Sequence, residues 1–249
     1  MKKLFGIKNV ILLILVVFGL NGCVIIGDNL DDLLGDELAK NFYKEPTASK
    51  RTALVDIPDD LETLSQSDMN ALATVTFMGA ANAITSFSTN FTLGVSGLDA
   101  EPCTNGYVYS WEFVGFKYWI TYTDNGTTRT WEYEFQTPDL ARFTLMTAEE
   151  AVNGKSGSWV IYDEVVGHAK IWDYEWSIDS SDNFTATATC YDEPESTYDV
   201  VSNANGSGSF VLTEDEVDVV TVNWTADGET GTYSYFDGEE TYEGSWGID

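Results

Sequence analysis

The sequence predicts a mainly β protein: an antiparallel up-and-down meander of about eleven or twelve strands, curled into a barrel, a half-barrel or two packed layers, with one or two N-terminal helices. Three observations predict it. From about residue 86 onward, apolar and polar residues alternate in stretches of strand length; Trp172, Tyr174, Trp176 and Ile178 share one face, and Asp173, Glu175 and Ser177 the other. Four Asx-Gly pairs (Asn125-Gly126, Asn205-Gly206, Asp227-Gly228 and Asp237-Gly238) punctuate these stretches with turn chemistry. Helical spacing is confined to segments before the alternation begins.

In chain order, Met1-Lys2-Lys3 is a basic start, followed by an apolar run from Val10 to Leu20. That run is too short for a membrane span and suits a secretory signal. The four residues that follow, Leu20-Asn21-Gly22-Cys23, resemble the lipobox of bacterial lipoproteins, with Leu at −3, a small residue at −1 and the Cys that becomes lipid-modified. The resemblance implies a signal peptide over 1–22, a diacylglycerol and an N-acyl chain on Cys23, and an exported protein held at a membrane by lipid, on the periplasmic side or the cell surface. Several acyl chains anchor stably where one is marginal, at roughly 0.8 kcal/mol per buried methylene. With Cys23 lipidated, Cys103 and Cys190 are the two cysteines left, and in an exported chain a pair suggests one disulfide.

Residues 23–66 read as the anchor, a short helix over Asn29–Phe42 and a linker; residues 67–249 read as a helix followed by the β domain. The second helix starts after Ser67, with Met69, Leu72, Ala73, Phe77, Ala80, Ala81 and Ile84 as its apolar stripe. Met69 through Leu98 contains no Asp, Glu, Lys or Arg, in a chain that is 21% charged. This predicts a helix covered on most sides, packed against the sheet or within its curve. Phe87 to Val95 then alternates as a first strand.

Phe116 to Gln136 reads as a hairpin. Taking Asn125-Gly126 as a two-residue turn places Ile120 opposite Trp131, Tyr118 opposite Tyr133, and Phe116 opposite Phe135, with Trp119 beside Glu132 on the other face. A parity shift at Val114-Gly115 predicts a bulge or bend. Further strands are expected near 140–146, 157–163, 169–178, 184–191, 197–204 and 207–213. Counting from the remaining turns sets Val201 against Phe210, Val222 against Tyr233, Val220 against Tyr235, Trp224 over Gly231, and Tyr233 against Tyr242. Residues 231–246 are similar to a single MORN repeat in their Gly, Tyr and Trp spacing, but the pattern does not recur at a fixed period and implies no function here.

The charge excludes some functions. Formal net charge is −29, and removal of 1–22 leaves 9 basic residues against 41 acidic ones. Such a surface repels nucleic acid and anionic headgroups. No acidic cluster has the ligand pattern of an EF-hand loop, so a metal site is left unassigned. His168, the single histidine, sits in a loop, and no Gly-x-Ser-x-Gly elbow, His-based zinc set or phosphate-binding Gly loop accompanies it. No catalytic residue and no cofactor is nominated. The expectation is non-catalytic binding, of an apolar ligand inside the curled sheet; the alternative is a carbohydrate on exposed aromatics, with Trp119 and Glu132 as candidate ligand-binding residues. A carboxylate-dependent hydrolase ranks third.

Overall fold

The computed structural model describes residues 57–79, 100–163 and 169–247. The signal segment, Cys23, the Asn29–Phe42 helix, the Phe87–Val95 strand and His168 lie outside the described residues. Two helices, α1 (Asp59–Leu64) and α2 (residues 69–79), precede thirteen strands. These are β1 (Ala100–Cys103), β2 (Gly106–Phe113), β3 (Phe116–Asp124), β4 (Thr128–Thr137), β5 (Leu140–Ala151), β6 (Ser156–Tyr162) and β7 (Lys170–Ile178). They continue with β8 (Phe184–Cys190), β9 (Ser196–Ser202), β10 (Gly208–Glu214), β11 (Val217–Trp224), β12 (Gly231–Phe236) and β13 (Thr241–Trp246). All thirteen form one antiparallel sheet in sequence order, curled but unclosed. The predicted meander is therefore the fold, with one or two strands more than expected.

Short connections enforce this order, because consecutive antiparallel strands joined by tight loops have no other partner within reach. The loops are not the ones composition suggests. Val114 (φ 51°) and Gly115 (φ 81°) make a two-residue turn with both residues left-handed, so the expected bulge is a hairpin that joins β2 to β3. Asp215 (φ 47°) and Glu216 (φ 69°) do the same between β10 and β11. At Asn105-Gly106 the asparagine is left-handed (φ 61°), whereas in the loops at Asn125-Gly126, Asn205-Gly206, Asp227-Gly228 and Asp237-Gly238 only the glycine is. The preceding Asx keeps an ordinary backbone and accepts downstream amides on its side chain: Asn125 Oδ1 takes Thr127 N–H and Thr128 N–H, each at 2.9 Å, and Asp237 Oδ1 takes Glu239 and Glu240 N–H at 2.9 Å.

Those Asx turns lengthen the loops and correct the expected registers. Asp124 pairs with Arg129, so Tyr118 faces Phe135, Ile120 faces Tyr133 and Tyr122 faces Trp131. The pairing is displaced by two residues, which leaves every side chain on its expected face. Likewise Tyr233 faces Gly244, and Tyr242 faces Tyr235. At Asn205-Gly206 the displacement is one residue: Phe210 faces Val200, which is buried, while Val201 is exposed. The Asp227-Gly228 register, with Val222 on Tyr233 and Trp224 on Gly231, is as expected.

One face of the sheet carries the core, and α1 and α2 pack on that inner face. Three acids, Asp59, Asp60 and Glu62, open α1 and complement its dipole. Asp68 caps α2 by accepting Asn70 N–H at 2.8 Å and Ala71 N–H at 3.1 Å, and its second oxygen accepts the Tyr233 hydroxyl at 3.1 Å. The buried stripe of α2 is Ala71, Thr74 and Met78, with Val75 and Phe77 beside it; Met69 is 84% exposed and Leu72 is also exposed. The expected stripe was thus rotated, because charge-free Thr and Asn let either face pass as apolar. Leu61 of α1 joins the same core, and Phe77 meets Tyr235 at 6.2 Å between ring centroids.

The C-terminal strands repeat a packing device. Trp224 lies against Gly208, and its indole N–H donates to Gly206 O at 3.0 Å. Trp246 lies against Gly231, and donates to Gly228 O at 3.0 Å. In each case a ring covers a strand glycine while its polar edge ties down the adjacent turn.

Candidate functional site

Trp119 and Glu132 both lie on the outer, polar face. They are not opposite one another: Trp119 pairs with Glu134 and Glu132 with Thr121. Trp119 is half-buried and outside the core cluster. The Arg142 guanidinium stacks over its ring at 4.2 Å from the centroid. Glu134 holds that guanidinium through a two-pronged contact, with Arg142 Nε 2.8 Å from Oε1 and Nη2 on Oε2. This contact raises the Arg142 pKa further. Glu132 accepts the Thr144 hydroxyl at 3.0 Å. The outer surface of β3–β5 is therefore a hydrogen-bonded network in which one face of the Trp119 ring is already covered.

The inner face divides in two. Across β8–β11 it is chiefly aliphatic, with Ala186, Ala188, Val200, Leu212, Val220 and Val222 buried beside Phe210. The helices reach this sheet at β12 and β13, through Tyr233, Tyr235 and the α1 contact with β13. Across β2–β7 the same face mixes apolar residues, Ile120, Phe135, Met146 and Ile161, with rings that carry polar tips, among them Tyr109, Tyr133, Trp159 and Tyr174, all buried. Burial pushes the Tyr109, Tyr133 and Tyr174 hydroxyls well above their ordinary value, which keeps them neutral.

At the end of β3–β5 this aromatic face carries charge. Asp124, Arg129 and Glu150 are cross-strand partners in one row. Arg129 Nε lies 3.5 Å from Asp124 Oδ2, and its Nη1 lies 4.0 Å from Glu150 Oε2. The Arg129 and Glu150 side chains are only 15% and 14% exposed. Burial raises the Glu150 pKa, and Arg129 partly offsets the rise. In the next row Tyr107, Tyr122 and Trp131 are cross-strand neighbours, with Tyr122 and Trp131 rings 5.5 Å apart and tilted. The Tyr122 hydroxyl donates to Asp124 Oδ2 at 3.5 Å.

Sequence reasoning missed this cluster, although the signal was present. Asp124 has the parity of Tyr122, and Arg129 that of Trp131, so both had to share the aromatic face. The turn was counted too short to bring them opposite each other, and Glu150 was not assigned to a face.

Cys103 ends β1 and Cys190 ends β8, and both are free thiols, Cys103 exposed and Cys190 half-buried. The expected bridge is not formed; seven strand positions separate them in the sheet order, and a disulfide needs Cα atoms within about 7 Å. Burial raises the Cys190 pKa. Among the described residues, no group of three or more His, Cys, Asp and Glu is arranged to hold a metal ion. Among them, no helix is long and apolar enough to cross a membrane. No protein-family profile, no curated protein and no solved structure matches the chain.

Proposed function

We propose that the chain is the body of an exported lipoprotein, anchored to a membrane through acylated Cys23, whose curled sheet binds a ligand without catalysis. The observation that carries the binding reading is the division of the inner face. One part is aliphatic and the helices close over the sheet beside it, as a core requires. The other sets hydroxyl- and indole-bearing rings among its apolar residues and ends in three charged side chains on the same face. A core alone is served better by aliphatic residues, since each buried polar tip needs a partner.

Two measurements test the reading. Metabolic labelling with palmitate should mark the full chain and fail on Cys23→Ala; label on the variant would refute the anchor. Mass spectrometry of an organic extract and of an aqueous denatured extract of the purified full chain should reveal a stoichiometric small molecule. Turnover of that molecule into a product by the protein would refute non-catalytic binding.

A further inference from the structure

We propose that the half-buried rim on the inner face of β2–β5, where Tyr107, Tyr122 and Trp131 flank Arg129, Asp124 and Glu150, is a binding site for a neutral saccharide; this rests on the reading that the curled sheet binds a ligand without catalysis. The argument starts from hydrogen-bonding capacity. A guanidinium has five N–H donors. Among the described residues, the Arg129 guanidinium makes no polar contact shorter than the 3.5 Å approach to Asp124, although its side chain is only 15% exposed. Among the described residues, the Glu150 carboxylate, 14% exposed, has Arg129 at 4.0 Å as its one ion-pair partner and no hydrogen bond. Arg142, by contrast, is gripped by Glu134 through two donors. Arg129 and Glu150 are nearly buried, correctly signed for each other, and too far apart to satisfy each other. A group inserted between them that both donates and accepts would complete the set.

The rings say what else that group must present. Trp131 and Tyr122 are half-buried, and Tyr107 is 36% exposed, so apolar ring surface borders the charges. One row deeper the register seats Ala148 between Trp131 and Trp159. Along that row of the sheet the residue between the two indoles contributes only a methyl. The buried Trp159 Nε1 has no hydrogen-bond partner among the described residues. The ligand must therefore combine a flat C–H face with several hydroxyls, which a pyranose does.

Charge narrows the class. A net charge of −29 repels acidic sugars and phosphates. Arg129 already fills the place between the two carboxylates that a compact cation would take. A neutral polyhydroxylated ring remains, with paired hydroxyls bridging Arg129 and Glu150 and a ring face against Trp131.

The test is isothermal titration calorimetry on the full chain in detergent, with neutral gluco-, manno- and xylo-hexasaccharides as probes and a hexauronate and spermidine as charged controls. The expected result is saturable binding of at least one neutral hexasaccharide. Trp131→Ala and Arg129→Gln should each weaken it roughly tenfold or more, about 1.4 kcal/mol, and Trp119→Ala on the outer face should leave it unchanged. If Trp131→Ala loses its near-UV circular dichroism, Tyr107→Ala, at an exposed ring, takes its place. Failure of every neutral hexasaccharide at millimolar concentration, binding that survives both rim variants, or binding of the charged probes alone overturns the proposal. A lipid in the organic extract with no sugar binding would sink this site and leave the ligand-binding reading standing. Sugar binding followed by shortened products would keep the site and sink the non-catalytic reading.

Discussion

Gly231→Ala isolates the packing of a tryptophan over a strand glycine. Gly231 has no left-handed backbone, so alanine meets no conformational penalty and the effect is steric. A Cβ built there lies 2.2 Å from Trp246 Cη2 and Cζ2, and 2.5 Å from Asn223 O. The backbone oxygen blocks retreat on one side, so the indole must move. Trp246 is buried, and its N–H holds Gly228 O. Overpacking alone costs about 1–3 kcal/mol. Complete ejection would expose roughly 150–250 Å² of ring, or about 4–6 kcal/mol at 25 cal/mol per Å². Partial displacement with loss of the indole hydrogen bond sets the expectation near 3 kcal/mol. At roughly 2–4 °C per kcal/mol for a chain of this size, the melting temperature should fall by about 6–12 °C. Thermal unfolding followed by near-UV circular dichroism reads the shift. Trp246→Ala removes the obstacle, so Gly231→Ala added to it should cost far less than in the parent. A Gly231→Ala melting point within about 1 °C of the parent, or full additivity in the double variant, would refute the steric account.

Further outcomes follow from other contacts. Asp68→Ala removes the cap of α2 and the tie to Tyr233, and should lower stability by about 1–3 kcal/mol in urea titration. Asp68, Asp179, Asp227 and Asp237 are all held below the ordinary carboxylate value of 3.8, with backbone amides the first cause except at Asp227, where it is the Thr225 hydroxyl. Their contribution is present above pH 3.8 and is lost as pH falls through the depressed values, so stability should drop below about pH 4; Glu150, whose pKa is raised, acts in the opposite sense above 4.5. A double-mutant cycle between Arg142 and Glu134 should give a coupling of about 0.5–1 kcal/mol, as befits a surface pair. Gly79 of α2 has open space around its missing Cβ, and Gly79→Ala should raise stability by about 0.4–1 kcal/mol in the same titration.

Strand positions were legible in the sequence because a half-buried strand must alternate, and turn residues must break the alternation. Register was legible only modulo two. Asn125-Gly126 and Asp237-Gly238 look like two-residue turns, but their Asx side chains accept amides and stretch the loop. A displacement of two preserves the faces, so the aromatic and polar surfaces came out right while Trp119 received the wrong neighbour. At Asn205-Gly206 the displacement was odd, and Val200 took the core position assigned to Val201. The turn at Asp215-Glu216 lacks a glycine, so composition did not mark it. The rim cluster needed exact pairing of three strands, which period-two patterning does not supply; once Asp124 stands opposite Arg129, its position follows.

The strand order also bears on how the chain reaches this state. Among the described residues every β pairing joins sequence neighbours, so the sheet can grow hairpin by hairpin, with little entropy spent on closing long loops. The helix contacts are long-range instead, among them the clasp from Asp68 to Tyr233, 165 residues apart. Until β12 is in place, α2 lacks its hydroxyl partner and Phe77 lacks Tyr235. Folding is thus local through most of its course and becomes global at the end, when the last two hairpins fasten the first helices to the sheet.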